Sequence, residues 1–225
     1  MKCLMRPTFL DIGVNVMHIY ERFIKRFLDV FLSALAIVVL SPLMLIVAAL
    51  VRIKLGSPVI FSQKRPGKDE KLFCLYKFRS MTEKRDGRGN LLSDEDRLTN
   101  FGKILRKTSL DELPELINIF IGDMSIVGPR PLLVRYLPFF RPEERVRHSV
   151  RPGLTGLAQV NGRNNLGWDE RLALDIDYVK NITFINDCRV LLKTVWKVLK
   201  RSDIATGEQL IIQDLDVERV RMKEE

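Results

Sequence analysis

The chain has 225 residues, which is enough for one domain with a substantial core. Lys and Arg number 37 against 28 Asp and Glu, and the net charge of +9 favours anionic partners such as nucleic acid, phosphorylated metabolites or anionic lipid. With two histidines and no CxxC pair, a cysteine/histidine zinc site is not expected. We interpret Cys3, Cys74 and Cys188 as reduced, small, buried apolar residues of a cytosolic environment.

Residues 1–24 form a short lead-in without the features of a domain, and an apolar run follows them. From Val30 to Val51 there are 22 residues without a charge, which is long enough for a membrane helix. Basic residues flank this run on both sides, and basic flanks prefer the cytoplasmic side of a membrane; they are Lys25, Arg26, Arg52 and Lys54.

Ser41-Pro42 lies in the middle of the apolar run and predicts a break there, because proline removes a backbone donor. The serine hydroxyl can satisfy a carbonyl that the break frees. Each arm would be ~16 Å long, about half of a ~30 Å hydrocarbon core. Residues 25–54 are therefore predicted to be either a re-entrant helix that returns to the cytoplasmic face or an ordinary kinked span. Asp29, at the mouth of the run, is predicted either to pair with Lys25 and Arg26 or to be a solvated charge.

The remaining chain has the pattern of a small α+β domain, mostly helical, over residues 55–201, with a tail at 202–225. Two β-rich runs flank the turn KRPGKDEK and predict a β-hairpin, and a polar loop, TEKRDGRGNLLSDED, follows it. Helices are predicted over 99–107, 114–120 and WDERLALDIDYVKN. The Gly- and Pro-rich segments GDMSIVGPRPLL and RPGLTGLAQVNGRNNLG are predicted to be loops.

The segment NDCRVLLKTVWKVLKR predicts a basic amphipathic helix. Its basic residues recur every four positions, opposite an apolar face; they are Arg189, Lys193, Lys197 and Arg201. The helix is suited to a membrane interface, with Trp196 as an anchor, or to packing on the core with its basic face in solvent.

The stretch SLDELPE, Ser109–Glu115, places two carboxylates side by side at Asp111 and Glu112. A capping box begun by Ser109 is one interpretation, but Pro114 favours a helix that starts at the proline. The two acids then lie just outside a helix N-terminus, which attracts phosphate groups. A carboxylate in that position can coordinate Mg²⁺ or attack phosphorus, so both a capping and a catalytic role are open.

Taken in order, several motifs strongly resemble the bacterial sugar transferases, the monotopic phosphoglycosyl transferases. They are KRFLD, Ser-Pro inside an apolar run, QKRPG, YKFRSM, DRLTNFGKILRKTSLDELPELINIFIGDMSIVGPRP and RPGLTGLAQVNGRN, and they cover about residues 25–201. The resemblance implies transfer of a phosphosugar from a UDP-sugar to polyprenyl (undecaprenyl) phosphate, with UMP released, as the first membrane step of surface glycan assembly. It further implies a re-entrant helix broken at Ser41-Pro42 and a catalytic domain on the cytoplasmic face of the bacterial inner membrane.

The resemblance also assigns site residues. It makes Asp111 the covalent nucleophile of an Asp-Glu dyad and places Mg²⁺ near Asp111 and Glu112, with Glu112 holding the metal or assisting proton movement. Negative charge on the donor diphosphate requires cations. Candidate phosphate-binding residues are Arg106, Arg130, Lys77, Arg79, Arg151 and Arg163. The alternative role of each arginine is a surface salt bridge or a lipid-headgroup contact.

Two other classes of protein are compatible with composition alone: a noncatalytic membrane scaffold and a basic nucleic-acid-binding protein. No nucleic-acid-binding module or base-stacking aromatic pattern is visible, so nucleic acid is not expected as a partner. The expected partners are the UDP-sugar, polyprenyl phosphate and the lipid bilayer, while a homo-oligomer and contacts with downstream glycosyltransferases are left open.

Overall fold

The computed structural model describes residues 19–162, 166–200 and 213–224, and helices make up most of them, as predicted. The helices are α1 (Lys25–Leu55), α2 (Asp94–Arg97), α3 (Asn100–Lys107), α4 (Glu115–Ile121), α5 (Leu157–Asn161), α6 (Trp168–Lys180), α7 (Phe184–Lys200) and α8 (Leu215–Glu224). The strands are β1 (Ile60–Pro66), β2 (Leu72–Phe78), β3 (Ser125–Val127) and β4 (Gly153–Thr155). Single 3₁₀ turns cover Lys68–Glu70, Leu110–Glu112, Val134–Phe139 and Glu144–His148, and a π-helical turn, Tyr20–Ile24, precedes α1.

Helix α1 is long and apolar, and most of its surface is exposed. Within the described chain, the helical segment Tyr20–Leu55 is the one long and apolar enough to cross a membrane. Only 11% of its most apolar stretch is buried against the rest of the protein. The helix continues through Pro42, so the predicted break at Ser41-Pro42 does not interrupt it. Ser41 Oγ donates to the carbonyl of Val38 at 2.8 Å, and Val38 is the residue whose usual donor would be the missing N–H of Pro42. The predicted role of the serine hydroxyl is thus confirmed.

Three polar contacts hold the N-terminal part of α1 against the domain. Arg26 donates to the carbonyls of Ile119 and Phe120 at the end of α4. Asp29 is buried and accepts from the backbone N–H of Ile126 in β3 at 2.9 Å. The prediction of a solvated charge is therefore wrong; Lys25 and Arg26 do attract the Asp29 carboxylate, but neither forms a direct ion pair with it among the described residues. The third contact joins Lys25 to Asp187 of α7.

The predicted hairpin is confirmed: β1 and β2 pair antiparallel with Ile60 opposite Phe78 and Pro66 opposite Leu72. Phe73 and Leu75 alternate as buried residues along β2, and Phe78 at the end of the strand is buried as well. Asn118 of α4 locks the helix to β2, since its side chain accepts from Tyr76 N–H at 3.0 Å and donates to the Cys74 carbonyl at 2.7 Å. Cys74 itself is exposed and Cys188 is half-buried, so the prediction of buried cysteines is wrong for Cys74, while Cys3 lies outside the described residues.

The two segments that were predicted to be loops contain a parallel strand pair, β3 with β4, and helix α5. The prediction was wrong because glycine there serves close backbone packing. A Cβ on Gly153 would lie 2.1 Å from the backbone nitrogen of Gly128, closer than real atoms approach. Glycine usually indicates a loop, but in these two segments it allows the backbones of β3 and β4 to approach closely.

The C-terminal helices close the domain. In α7, Asp187 and Val190 are buried, while the apolar side chains of Leu192, Val195 and Trp196 are more than half exposed. The helix therefore packs on the core through one face and leaves the predicted apolar face open; Arg201 lies outside the described residues. The sequence pattern made no structural prediction for the tail; within its described part, Leu215 of α8 is fully buried, beside Trp168.

Candidate active site

A large cleft lies where the hairpin, α3, the 3₁₀ turn Leu110–Glu112 and α6 meet, and its volume is about 1050 Å³. Many Lys and Arg side chains line it, together with the two carboxylates that were predicted to be catalytic. Lining residues include Lys77, Arg79, Ser80, Arg106, Asp111, Glu112 and Arg130. Most of the predicted site residues therefore lie in one cavity, although they come from distant parts of the chain.

A sharp turn places the two carboxylates in the cleft. Helix α3 ends at Lys107, and Ser109 adopts a left-handed conformation with φ of 54°. A single 3₁₀ turn, Leu110–Glu112, follows, and Pro114 then caps α4. The prediction that the helix begins at the proline and leaves the acids just outside it is confirmed, and Ser109 makes no side-chain cap. The adjacent acids therefore occupy a fixed turn.

Helix α3 is held close to the strand that carries Lys77 and Arg79. A Cβ on Gly102 would lie 1.8 Å from the carbonyl oxygen of Ser80, so only glycine permits this packing. The contact brings Arg106 next to Ser80, and Arg106 Nε donates to Ser80 Oγ at 2.9 Å. The rest of the exposed Arg106 side chain lines the cleft.

Asp111 is buried, yet its carboxylate forms no ion pair with any residue in the part of the chain that is described. Burial, followed by the neighbouring charge of Glu112, raises the pKa of Asp111 to about 6. A carboxylate with that pKa is mostly ionised at neutral pH and is more basic than an ordinary aspartate. Such a group is suited to be a nucleophile or a metal ligand.

Glu112 has the opposite environment. Lys77 lies 2.8 Å and Arg130 3.3 Å from its Oε1. Burial alone would raise its pKa, but Arg130 and Lys77 outweigh that effect and hold the pKa of Glu112 at about 2. Two adjacent carboxylates therefore have pKa values pushed apart, which is a pattern typical of sites that divide two roles between two acids.

Glu115 is a third carboxylate, to which the sequence analysis gave no role. It is almost fully buried at the start of α4, and its Oε1 lies 3.0 Å from the same Lys77 amine that binds Glu112. Burial is the largest cause that raises the pKa of Glu115, to about 7, with Glu112 adding to it and Lys77 opposing it. An acid in a first helical turn is usually explained by the helix dipole. The position of Glu115 in the sequence therefore gave no sign that it belongs to this site.

The remaining predicted phosphate-binding residues differ in position. Arg79 lines the cleft, but its guanidinium already donates to the Ser57 carbonyl and to Glu83, each at 2.8 Å. Arg151 donates to the Gly122 carbonyl at 2.9 Å and is not part of the cleft lining. Arg163 lies outside the described residues.

Arginines that the sequence analysis did not select also line the cleft. They are Arg65, Arg85, Arg97, Arg147 and Arg171. Arg147 is buried in an ion pair with Asp175 and donates to the Arg130 carbonyl at 2.6 Å. It therefore supports the loop that carries Arg130. A basic residue within a helix or turn gives no signal in the sequence that it faces a distant cleft.

Hard oxygen ligands in this cleft fit a magnesium ion. Mg²⁺ usually binds one or two carboxylates together with substrate phosphates. Asp111, with no cationic partner, and its neighbour Glu112 supply such a pair. No group of three or more His, Cys, Asp or Glu residues arranged for a metal occurs among the described residues.

Comparison with known proteins gives consistent matches. The family "Bacterial sugar transferase" matches residues 20–201. An uncharacterized sugar transferase, EpsL, of Bacillus subtilis (strain 168) is 50% identical over 176 residues, which are 78% of this chain and 87% of that protein. The undecaprenyl-phosphate galactose phosphotransferase of Salmonella typhimurium is 38% identical over 85% of this chain. A UDP-glucose:undecaprenyl-phosphate glucose-1-phosphate transferase of Klebsiella pneumoniae is 39% identical over 77% of it. The matches span 44% and 39% of those two longer proteins.

Proposed function

Because this chain belongs to the bacterial sugar transferase family, we propose that it transfers a phosphosugar from a UDP-sugar to polyprenyl (undecaprenyl) phosphate and so begins assembly of a surface glycan. The expectation of a phosphoglycosyl transferase is supported by relatives with that activity in their names. Those names also supply the undecaprenyl-phosphate acceptor, and one of them supplies a UDP-sugar donor. The identity of the sugar differs among the relatives, so the family does not select one.

One observation carries the proposal: an unpaired, buried carboxylate lies beside a neutralised one in a cationic cleft. Asp111 forms no ion pair in the described chain, and Lys77 and Arg106 offset its charge only in part, whereas Glu112 is bound by Lys77 and Arg130. The surrounding cations offset the negative charge of a diphosphate, which would otherwise repel an anionic nucleophile. Asp111 therefore retains its reactivity in an environment that attracts its target.

The proposed reaction has two displacements at the same phosphorus atom. A carboxylate oxygen of Asp111 attacks the phosphorus that carries the sugar, and the bond from that phosphorus to the UMP oxygen breaks. UMP leaves, and the phosphosugar is then an acyl phosphate on Asp111. A phosphate oxygen of the acceptor attacks the same phosphorus, breaks the bond to Asp111 and gives polyprenyl-diphosphate-sugar. The acceptor oxygen is already ionised at neutral pH, so neither displacement requires a strong general base.

Asp111 and Glu112 would hold Mg²⁺, and the ion would supply positive charge that offsets the donor diphosphate. Glu112 keeps Lys77 and Arg130 at the cleft. Arg106, fixed through its Nε by Ser80, presents its remaining donors to the substrate phosphates.

We also propose that α1 is a re-entrant helix and that the domain lies on the cytoplasmic face of the bacterial inner membrane. The exposed apolar surface of α1 and the open apolar face of α7 support burial of both in lipid. Basic residues at both ends of the apolar run favour the same side. Reporters fused separately to the N- and C-terminus should both be cytoplasmic. An N-terminus outside the cytoplasm would show a single span instead.

The proposed function is tested by UMP release from a panel of UDP-sugars, with Mg²⁺ and undecaprenyl phosphate in lipid particles. We expect release that depends on the acceptor over many turnovers with at least one donor. The Asp111→Asn variant is the matched control and should release none. If the protein of natural sequence releases no UMP from any UDP-sugar of a complete panel, a noncatalytic scaffold is favoured.

A further inference from the structure

A smaller cavity of about 380 Å³ adjoins the cleft behind Arg130. It lies between β2, the loop that follows β3, and α6. Four cationic side chains line it, namely Arg65, Lys77, Arg130 and Arg171. Its carboxylates are Glu115 and Asp214, and Asp214 is already bound by Arg135 and Tyr136. The cavity therefore has an excess of positive charge.

Arg65 reaches this cavity from β1 with part of its guanidinium unused. One terminal nitrogen donates to Gln63 at 2.7 Å and the other approaches the Pro131 carbonyl at 3.4 Å. Its Nε is buried without a hydrogen-bond partner in the described structure. Arg65 is half-buried and forms no ion pair there, and Glu115 attracts its charge only from a distance.

Arg171 has the same incomplete environment on the opposite wall. Its guanidinium carbon lies 5.0 Å from the centre of the Trp168 ring, so the aromatic face fixes its position. Its Nε is buried and has no hydrogen-bond partner within the described ranges. Burial, and next the charge of Arg130, lowers the pKa of both Arg65 and Arg171. Arg130 therefore repels both partly desolvated charges, and the carboxylates of Glu115, for Arg65, and of Asp175 and Glu218, for Arg171, offset only part of that effect.

Arg130 repels both Arg65 and Arg171, and a fold that holds such charges beside a small cavity loses stability unless an anion binds there. Planar guanidinium groups match the oxygens of phosphate in pairs. We propose that Arg65, Arg130 and Arg171 form a second anion subsite that binds a phosphate dianion, separate from the phosphorus that Asp111 attacks. Two substrates could supply this group: the nucleotide phosphate that departs in UMP, or the phosphate of the polyprenyl acceptor. Only this choice of source rests on the proposed function.

The first test uses inorganic phosphate and thermal unfolding of the purified full chain in detergent. Ligand that binds only the folded state raises the midpoint temperature in a concentration-dependent way. We expect Arg171→Met and Arg65→Met to weaken the apparent phosphate affinity by roughly tenfold or more. Each variant without phosphate should be at least as stable as the natural sequence, because a desolvated charge is removed. Arg88→Met, in the exposed loop outside both cavities, is the matched control and should respond as the natural sequence does.

Two results would overturn the subsite: a phosphate response in both variants equal to that of the natural sequence, or no response in the natural sequence. Lower stability without phosphate, together with an intact phosphate response, would show that the arginines are structural and would also overturn it.

The second test finds the source of the phosphate from steady-state kinetics. A raised KM for the UDP-sugar in Arg171→Met assigns the subsite to the nucleotide, and a raised KM for polyprenyl phosphate assigns it to the acceptor. Unchanged KM values for both substrates contradict a role in either. If no donor is turned over at all, the proposed function fails, while the inorganic-phosphate test still decides the subsite.

Discussion

Two buried aspartates show how the same side chain is used for structure in one region and for chemistry in another. Asp187 of α7 accepts from the hydroxyls of Tyr20 at 2.6 Å and Tyr178 at 2.8 Å, and it pairs with Lys25. Asp111 is similarly buried but has no ion pair among the described residues. The three partners of Asp187 show that it joins the N-terminal part of the chain to the domain. Asp111 instead keeps an available carboxylate in the cleft, at a cost in stability.

The largest expected effect is on turnover. Asp111→Asn should reduce UMP formation about 10⁴-fold or more, because an amide is not a nucleophile. The same change should leave the thermal midpoint equal or higher at neutral pH, because it removes a buried charge that lacks a counterion. UMP release and thermal unfolding of the same preparation measure both. Lost activity with an unfolded protein would remove the distinction between the two aspartates.

The reverse pattern is expected at the other aspartate. Asp187→Ala should lower the free energy of unfolding by about 3–5 kcal/mol, because it leaves the Lys25 charge and two tyrosine hydroxyls without their acceptor. Denaturant unfolding in detergent measures this value, with turnover per folded molecule as the second readout. Asp177→Ala, at an exposed position of α6, is the matched control and should change stability by less than about 0.5 kcal/mol. A loss below about 1 kcal/mol at Asp187 would contradict the structural role.

Glu115 allows a test through pH. Its folded pKa of about 7 lies above the ordinary 4.5, so the folded state holds a proton that the unfolded state has lost between these values. Stability therefore falls as pH rises through this window, and Glu115→Gln should remove on the order of 3 kcal/mol of that decline. Thermal midpoints from pH 4.5 to 7.5 measure it. A variant as steep as the natural sequence would assign the decline to other groups.

The smallest expected effect is in α1. Ser41→Ala leaves the Val38 carbonyl without a donor and should cost about 0.6–1 kcal/mol, typical of hydrogen bonds between polar groups in membranes. Ser33→Ala is the matched control, because Ser33 donates to Val30, whose usual helical donor, the N–H of Ala34, is present. Unfolding in lipid particles compares them. A larger loss for Ser33→Ala would show that the Pro42 gap is satisfied in another way.

Much of this organisation was predictable from local pattern. The apolar run, the hairpin around KRPGKDEK and the helix that starts at Pro114 follow from hydrophobic period, turn residues and proline geometry. The motifs also gave the family, which the match over residues 20–201 confirms. Asp111 and Glu112 were selected as adjacent acids just outside a helix N-terminus, and the resemblance then assigned them their catalytic roles.

The features that the sequence did not predict depend on contacts between segments that are far apart in the chain. Gly153 indicates a loop until its approach to Gly128 is seen, and Asp29 finds its partner 97 positions away, at Ile126. Glu115 gave no local signal beyond a common first-turn acid, although it shares the Lys77 amine with Glu112. The cavity around Arg65 and Arg171 joins two basic residues from opposite ends of the domain.

The covalent role of Asp111 is tested most directly by the intact mass of the protein after incubation with its UDP-sugar and Mg²⁺, without acceptor. A covalent intermediate predicts stoichiometric UMP release and a mass increase equal to one phosphosugar. Both should occur in the natural sequence and in Asp177→Ala but not in Asp111→Asn. Addition of polyprenyl phosphate should remove the added mass. Steady turnover with acceptor, but with neither an adduct nor a UMP burst in its absence, would contradict the covalent route and indicate direct displacement by the acceptor.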